Sequence, residues 1–251
     1  MVLQILAGNW KMNLTLSQGR RFMEALRSGL EGKKPFCKLI LAPNFTLLAE
    51  LAGPCAAAGI GLAAQNCAAQ AEGSLTGETS VAMLRDIGVE YVLVGHSERR
   101  HYFAENDALL ACKLKLVAEA GLTPIFCVGE SQAERRAGRA DAVVLRQLEL
   151  GLADFPGASL MIAYEPVWAI GTGQTATPDD ARLMHARIRK FLVGRFAQGV
   201  ALPILYGGSA KPENAAALLA QPEVDGLLVG GASLDPDSFL RMAFTGGDKP
   251  L

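Results

Sequence analysis

The sequence predicts an α/β fold built on a parallel sheet that helices cover on both faces. The form is either a closed eight-stranded parallel (β/α)8 barrel filling residues 1–251 as one domain or a doubly wound open sheet. Three observations carry this. Eight short apolar runs rich in Val, Ile and Leu recur along the chain, each stopped by Gly, Pro, Asn or a charged residue. They are continuous rather than alternating, as suits strands buried on both faces. Helical segments lie between them, and the chain of 251 residues has the usual size of such a barrel.

The first run, Leu3 to Ala7, leads into Gly8-Asn9-Trp10-Lys11, which lacks the GxGxxG turn of an open dinucleotide-binding sheet and so favours the barrel. A helix over Ser17 to Gly29 follows, with Phe22, Leu26 and Leu30 at helical spacing. Leu39 to Ala42 and Ile60 to Ala64 are the next two runs, and the connection from Gln65 to Ser80 is long enough to suggest a partner or special role. The fourth run, Tyr91 to Val94, ends in Gly95-His96-Ser97-Glu98. A helix over Asp107 to Ala120, carrying Leu109, Leu110, Leu114 and Val117, is stopped by Gly121. Pro124 to Val128 and Leu160 to Tyr164 come next, the latter followed by Glu165-Pro166. Pro178-Asp179-Asp180 opens a helix running towards Phe191, with Pro where its missing N–H costs little. Pro203 to Tyr206 ends in Gly207-Gly208-Ser209, Pro212-Glu213-Asn214 opens another helix, and Gly226 to Val229 ends in Gly230-Gly231-Ala232-Ser233.

Composition narrows the function. Half the residues are hydrophobic, and 24 basic against 25 acidic side chains leave a net charge of −1, so the chain folds and has no basic excess for nucleic acid. Five cysteines, Cys37, Cys55, Cys67, Cys112 and Cys127, form no CxxC pair or zinc pattern and read as reduced thiols packed as small hydrophobes. Neither a signal peptide nor an apolar stretch of the roughly 18 residues needed for a membrane helix is visible, so a soluble, cytoplasmic protein without membrane contact is expected.

Reacting groups in such folds sit beyond the carboxyl ends of the strands. A barrel brings Asn9, Lys11, His96 and Glu165 to one rim with two Gly-Gly turns alongside. Glycines there either form tight turns or let backbone N–H groups approach a phosphate, and their position after the last two strands favours phosphate. A Glu carboxyl is a base at neutral pH. Of the three histidines, His101 falls in a charged stretch, and His185, among Arg182, Arg187 and Arg189, reads as part of a solvated helix face. The segment from Pro166 to Ala176, with Trp168, Ala169 and Ile170 at its apolar tip and Gly171 and Gly173 beyond, reads as a lid or an ordinary loop.

These motifs resemble one family, the triosephosphate isomerases. The resemblance spans the chain, through Asn9-Trp10-Lys11-Met12-Asn13, Gly95-His96-Ser97-Glu98-Arg99-Arg100, the specific Tyr164-Glu165-Pro166-Val167-Trp168-Ala169-Ile170-Gly171-Thr172-Gly173, and the Leu205-Tyr206-Gly207-Gly208-Ser209 and Leu228-Val229-Gly230-Gly231-Ala232-Ser233 turns. It implies a closed (β/α)8 TIM barrel and an enzyme interconverting dihydroxyacetone phosphate and glyceraldehyde 3-phosphate, a step of glycolysis and gluconeogenesis, with no metal or organic cofactor. By the resemblance Glu165 is the base, a neutral His96 polarises the carbonyl, Lys11 stabilises negative charge, Asn9 hydrogen-bonds a substrate oxygen and Glu98 positions Lys11. N–H groups near Gly171, Ser209, Gly230 and Gly231 would hold the phosphate, and the lid would keep water from the enediolate. The Gln65 to Ser80 connection would dock into a second subunit of a homodimer, bringing Thr76 near the partner's Asn9 and Lys11. Leu75 stands where an aromatic is common, and Gln174 where Lys is usual. Other phosphate-binding barrels are the alternatives: another sugar-phosphate isomerase, an aldolase using Lys11 as a Schiff base, or a non-catalytic binding protein.

Overall fold

In the computed structural model, which describes residues 4–157, 159–169 and 176–246, eight parallel strands pair in chain order and the eighth closes on the first. The first half of the chain runs β1 (Gln4–Asn9), α1 (Leu16–Leu30), β2 (Cys37–Ala42), α2 (Leu48–Ala57), β3 (Gly61–Ala64), α3 (Val81–Asp86), β4 (Tyr91–Val94), α4 (Ser97–Tyr102) and α5 (Asp107–Glu119). The second runs β5 (Thr123–Val128), α6 (Gln132–Arg136), α7 (Ala140–Gly151), β6 (Met161–Tyr164), α8 (Pro178–Arg195), β7 (Ile204–Tyr206), α9 (Pro212–Leu219), β8 (Gly226–Val229) and α10 (Pro236–Ala243). The closed barrel, not the open sheet, is the architecture.

The strands bury both faces, and their period of two sorts the side chains. One alternate set, including Ile5, Ala7, Leu93, Ile125, Ala163 and Leu228, fills the barrel interior. The other set packs outward with the helices, as Leu6, Leu41, Val92, Phe126 and Ile162 do with Phe22, Leu26, Leu114 and Leu192. Continuing the inward series one step past each strand's last inward apolar residue gives Asn9 after Ala7, Glu165 after Ala163, Gly207 after Leu205 and Gly230 after Leu228. The same alternation that fills the interior therefore delivers polar groups to its carboxyl-terminal mouth.

Helix starts follow local chemistry. At α1 the Gln18 Oε1 accepts from the Thr15 N–H at 2.8 Å, and at α8 Thr177 and Asp180 form a reciprocal capping box, where Pro178 takes the first turn. Two expectations are corrected here. His185 is fully buried, not on a solvated face: its ring packs edge-on to Tyr164, and Nδ1 lies 2.9 Å from the Glu223 carbonyl. The arginines around it misled the reading, because α8 turns His185 inward with Ala181, Met184 and Ile188 while Arg182 and Arg187 remain outside. Cys112 is exposed, whereas Cys37, Cys55, Cys67 and Cys127 are buried.

Candidate active site

A cavity of about 470 Å³ opens at the carboxyl ends of the strands, lined by Asn9, Lys11, His96 and Glu165 and by Ser209, Gly230 and Gly231. Glu98 lies behind Lys11, its Oε1 2.6 Å from Nζ. Gly171 lies outside the described residues, as do Ile170, Thr172, Gly173 and Gln174.

Asn9 is the last residue of β1 rather than the first beyond it, and Lys11 follows in the left-handed region at φ 51°. A non-glycine residue holds that conformation only where its surroundings fix it. Here Lys11 N–H donates to Asn9 Oδ1 at 3.0 Å, and Gln65 Nε2 donates to the Lys11 carbonyl at 2.9 Å and to the Ala42 carbonyl at 2.9 Å. Because Asn9 spends its carbonyl oxygen on Lys11, its NH₂ group is the part left to face the cavity.

His96 is the N-cap of α4, with Nδ1 accepting from the Glu98 N–H at 3.2 Å. That bond leaves Nδ1 without a proton, so the ring hydrogen sits on Nε2. The contact of Nδ1 with Glu98 Oε2 at 3.5 Å is then a neighbouring charge rather than a hydrogen bond. Nε2 lies 3.1 Å from Glu165 Oε1, without an aligned hydrogen bond between them. The Glu165 carboxylate is only 2% exposed, and its other oxygen accepts from the Ser97 N–H at 2.8 Å. A buried carboxylate thus holds one oxygen fixed and presents the other beside an N–H donor.

The two Gly-Gly turns differ. A Cβ on Gly207 would meet Glu165 Cγ at 2.9 Å, and one on Gly208 would meet the Tyr206 hydroxyl at 2.2 Å, so this pair is demanded by the protein's own packing and not only by a ligand. Gly231 has nothing within 4 Å, and a Cβ on Gly230 would face only Lys11, at 3.5 Å from Cε. That second turn is the open one, and it folds back on itself as Ser233 N–H and Oγ donate to the Gly230 carbonyl at 2.8 and 2.7 Å.

At the start of the segment read as a lid, Trp168 Nε1 donates to Glu130 Oε1 at 2.8 Å, the Tyr164 hydroxyl donates to the same carboxylate at 3.1 Å, and the Arg135 guanidinium lies 4.3 Å from the Trp168 ring centre. Ala169 is buried. Sequence reading missed Glu130, Ser97, Gln65 and the cavity-lining Lys211. Ser97 stood inside a quoted motif, but Glu130 and Gln65 act through partners 38 and 54 positions away and carry no local signal, while Lys211 is marked only by its place in the loop after β7. Among the described residues, no cluster of His, Cys, Asp and Glu is arranged to hold a metal ion.

The family model for triosephosphate isomerase matches residues 4–245. Similar proteins include the triosephosphate isomerase of Chloroflexus aurantiacus, 48% identical over 96% of this chain and 98% of that protein. That of Porphyromonas gingivalis is 49% identical over 94% and 96%, and that of Chlorobium phaeobacteroides 43% over 97% and 99%. An interior filled from eight strands, a carboxylate beside an N–H donor at its mouth and matches along nearly the whole length agree, and the chain belongs to the triosephosphate isomerase family.

Proposed function

We propose that this chain interconverts dihydroxyacetone phosphate and D-glyceraldehyde 3-phosphate with Glu165 as the base that carries the proton between the two carbons. The observation that supports it most is the Glu165 carboxylate, buried, pinned through Oε2 and 3.1 Å through Oε1 from His96 Nε2. Glu165 removes a proton from the carbon beside the carbonyl, leaving an enediolate, and returns it to the neighbouring carbon. His96 donates its Nε2 hydrogen to the carbonyl oxygen, where charge develops, and the Lys11 ammonium and Asn9 NH₂ stabilise the same anion. Glu98 positions Lys11 through their ion pair. That pair also argues against a Schiff-base aldolase, which needs a neutral lysine amine. Backbone N–H groups around Ser209, Gly230 and Gly231, with Gly171 from the lid, take the phosphate, whose dianion suits oriented N–H dipoles. The residues present call for no cofactor in this chemistry.

The test is a coupled assay with glyceraldehyde 3-phosphate on the wild type beside Glu165→Gln. The variant is expected to lose roughly 10²–10⁴-fold in kcat with little change in KM. Equal activity in the variant would remove Glu165 from this role.

The active unit we infer is a homodimer of one-domain barrels, residues 1–251, in the cytoplasm, where reduced thiols persist. What supports the dimer is the 65–80 segment. Its neck is closed by Ala68 N–H donating to the Thr79 carbonyl at 2.8 Å, and residues 70–78 project as an exposed arm tipped by Leu75. Met12, Met83 and Tyr102 are also exposed, at 94%, 60% and 74%. Apolar side chains of this size in water favour burial by a second copy.

A further inference from the structure

Gln147 is a buried amide on α7, and both halves of its carboxamide are spent on a single residue. Its Oε1 accepts from the Gly129 N–H at 2.8 Å, and its Nε2 donates to the Gly129 carbonyl at 3.1 Å. Gly129 lies one residue past the end of β5. Along a strand, successive residues offer their N–H and C=O to opposite sides. Towards β6 the ladder continues, with Glu165 N–H donating to the Val128 carbonyl at 2.8 Å and Val167 N–H to the Glu130 carbonyl at 3.1 Å. Towards β4 there is no strand left, because β4 ends at Val94 and Gly95 turns away at φ 77°. The groups orphaned on that side are taken by side chains: Arg100 reaches the Cys127 carbonyl at 3.3 Å, and Gln147 takes both groups of Gly129. A primary amide carries the same donor and acceptor as a peptide, so Gln147 stands in for the missing strand.

Gly129 also lies close against Glu165, with less room for a side chain than any other described glycine. A Cβ there would lie 1.7 Å from the Glu165 carbonyl oxygen. The height of Gly129 therefore sets the height of the Glu165 backbone, from which a buried carboxylate reaches the Ser97 N–H on one side and His96 on the other. We infer that Gln147 is a positioning residue for the isomerisation, holding Gly129, and through it Glu165, in the geometry that proton transfer requires. This rests on Glu165 being the base.

Two variants test it, assayed with glyceraldehyde 3-phosphate beside the wild type and Glu165→Gln. Gln147→Met keeps the length and loses both hydrogen bonds. Its kcat is expected to fall by on the order of 10–100-fold, the cost of misplacing a reacting group by a fraction of an ångström to an ångström, while KM stays within about threefold. In Gln147→Glu the carboxylate keeps the acceptor but turns a second oxygen on the Gly129 carbonyl, and protonation restores the donor. The ratio of variant to wild-type kcat is therefore expected to rise as pH falls from about 8 to about 5.5, towards the ordinary carboxyl range. Arg100, His101, Cys127, Glu134 and Glu165, which line the adjoining cavity with Gln147, are present in both proteins, so the ratio cancels the titrations the two share and reports the introduced acid with its coupling to these neighbours. A folded Gln147→Met with kcat within twofold of wild type, or a pH-independent ratio in Gln147→Glu, overturns the inference. Wild-type kcat in Glu165→Gln overturns the base assignment and this role together. An inactive Glu165→Gln with an unimpaired Gln147→Met overturns this role alone.

Discussion

Cys37, Cys55 and Cys67 pack away from water, and the cost of burying a thiolate pushes each pKa up to about 12. Cys127, in the barrel interior below the site, is pushed well above the ordinary value by burial first and then by the Glu165 charge. Thiolate is the reactive form, so native protein at mildly alkaline pH should react quickly with a thiol reagent at Cys112 alone and at all five cysteines once unfolded. More than one fast thiol per native chain would contradict this. The same shifts fix a pH dependence. Above roughly pH 8.5 these thiols ionise in the unfolded chain but stay protonated in the folded one, so the unfolded state binds fewer protons and stability falls as pH rises. Each buried thiol contributes up to about 1.4 kcal/mol of loss per pH unit until the folded thiols themselves ionise near 12. Urea midpoints measured under reducing conditions across this range should fall, and Cys55→Ala should shallow the slope.

At the level of elements, barrel closure depends on β8 lying close to β1. Gly226 pairs with Ile5, and a Cβ there would sit 2.2 Å from the Ile5 carbonyl oxygen and 2.8 Å from Leu205 Cδ2. The obstacle is backbone, which cannot swing aside. Gly226→Ala is therefore expected to lower the unfolding free energy by about 1–3 kcal/mol, whereas Gly231→Ala, with open space around it, should melt near wild type. Equal melting temperatures for the two variants would mean the seam yields. Strands such as this were legible in sequence because burial on both faces leaves an unbroken apolar run. Tyr91–Val94 and Gly226–Val229 were read with their observed limits. The limits of β1 were not, since Gly8 and Asn9 continue the ladder through backbone bonds that their side chains do not advertise. The same reason hid part of the site. Asn9, Lys11, His96 and Glu165 lie at or within two residues of the carboxyl ends of their strands and could be collected by position, but Gln147 and Glu130 work through backbone or side chains 18 and 38 positions away, and nothing beside them in sequence marks that use.

For the whole molecule, a net charge of −1 offers a phosphate dianion no general attraction, so affinity has to come from the rim alone. Leu75 lies in the exposed 70–78 stretch of a segment whose first residue, Gln65, hydrogen-bonds the Lys11 carbonyl, so the segment proposed to be buried in a dimer is tied to the backbone of a residue that lines the cavity. Dimerisation and activity should then be linked. In an isologous pair the substitution occurs twice, once in each subunit, and replacing Leu75 with a charge removes about 1.5 kcal/mol of burial per copy. Leu75→Glu is therefore expected to weaken the dimer by on the order of 10²-fold. Sedimentation should show the wild type as a dimer at micromolar concentration and Leu75→Glu dissociating within an accessible range, with specific activity falling as the variant is diluted through its dissociation midpoint. A wild type that sediments as a monomer throughout would refute the dimer. A Leu75→Glu that dissociates yet keeps full specific activity would leave the dimer standing and break its link, through Gln65, to the geometry of Lys11.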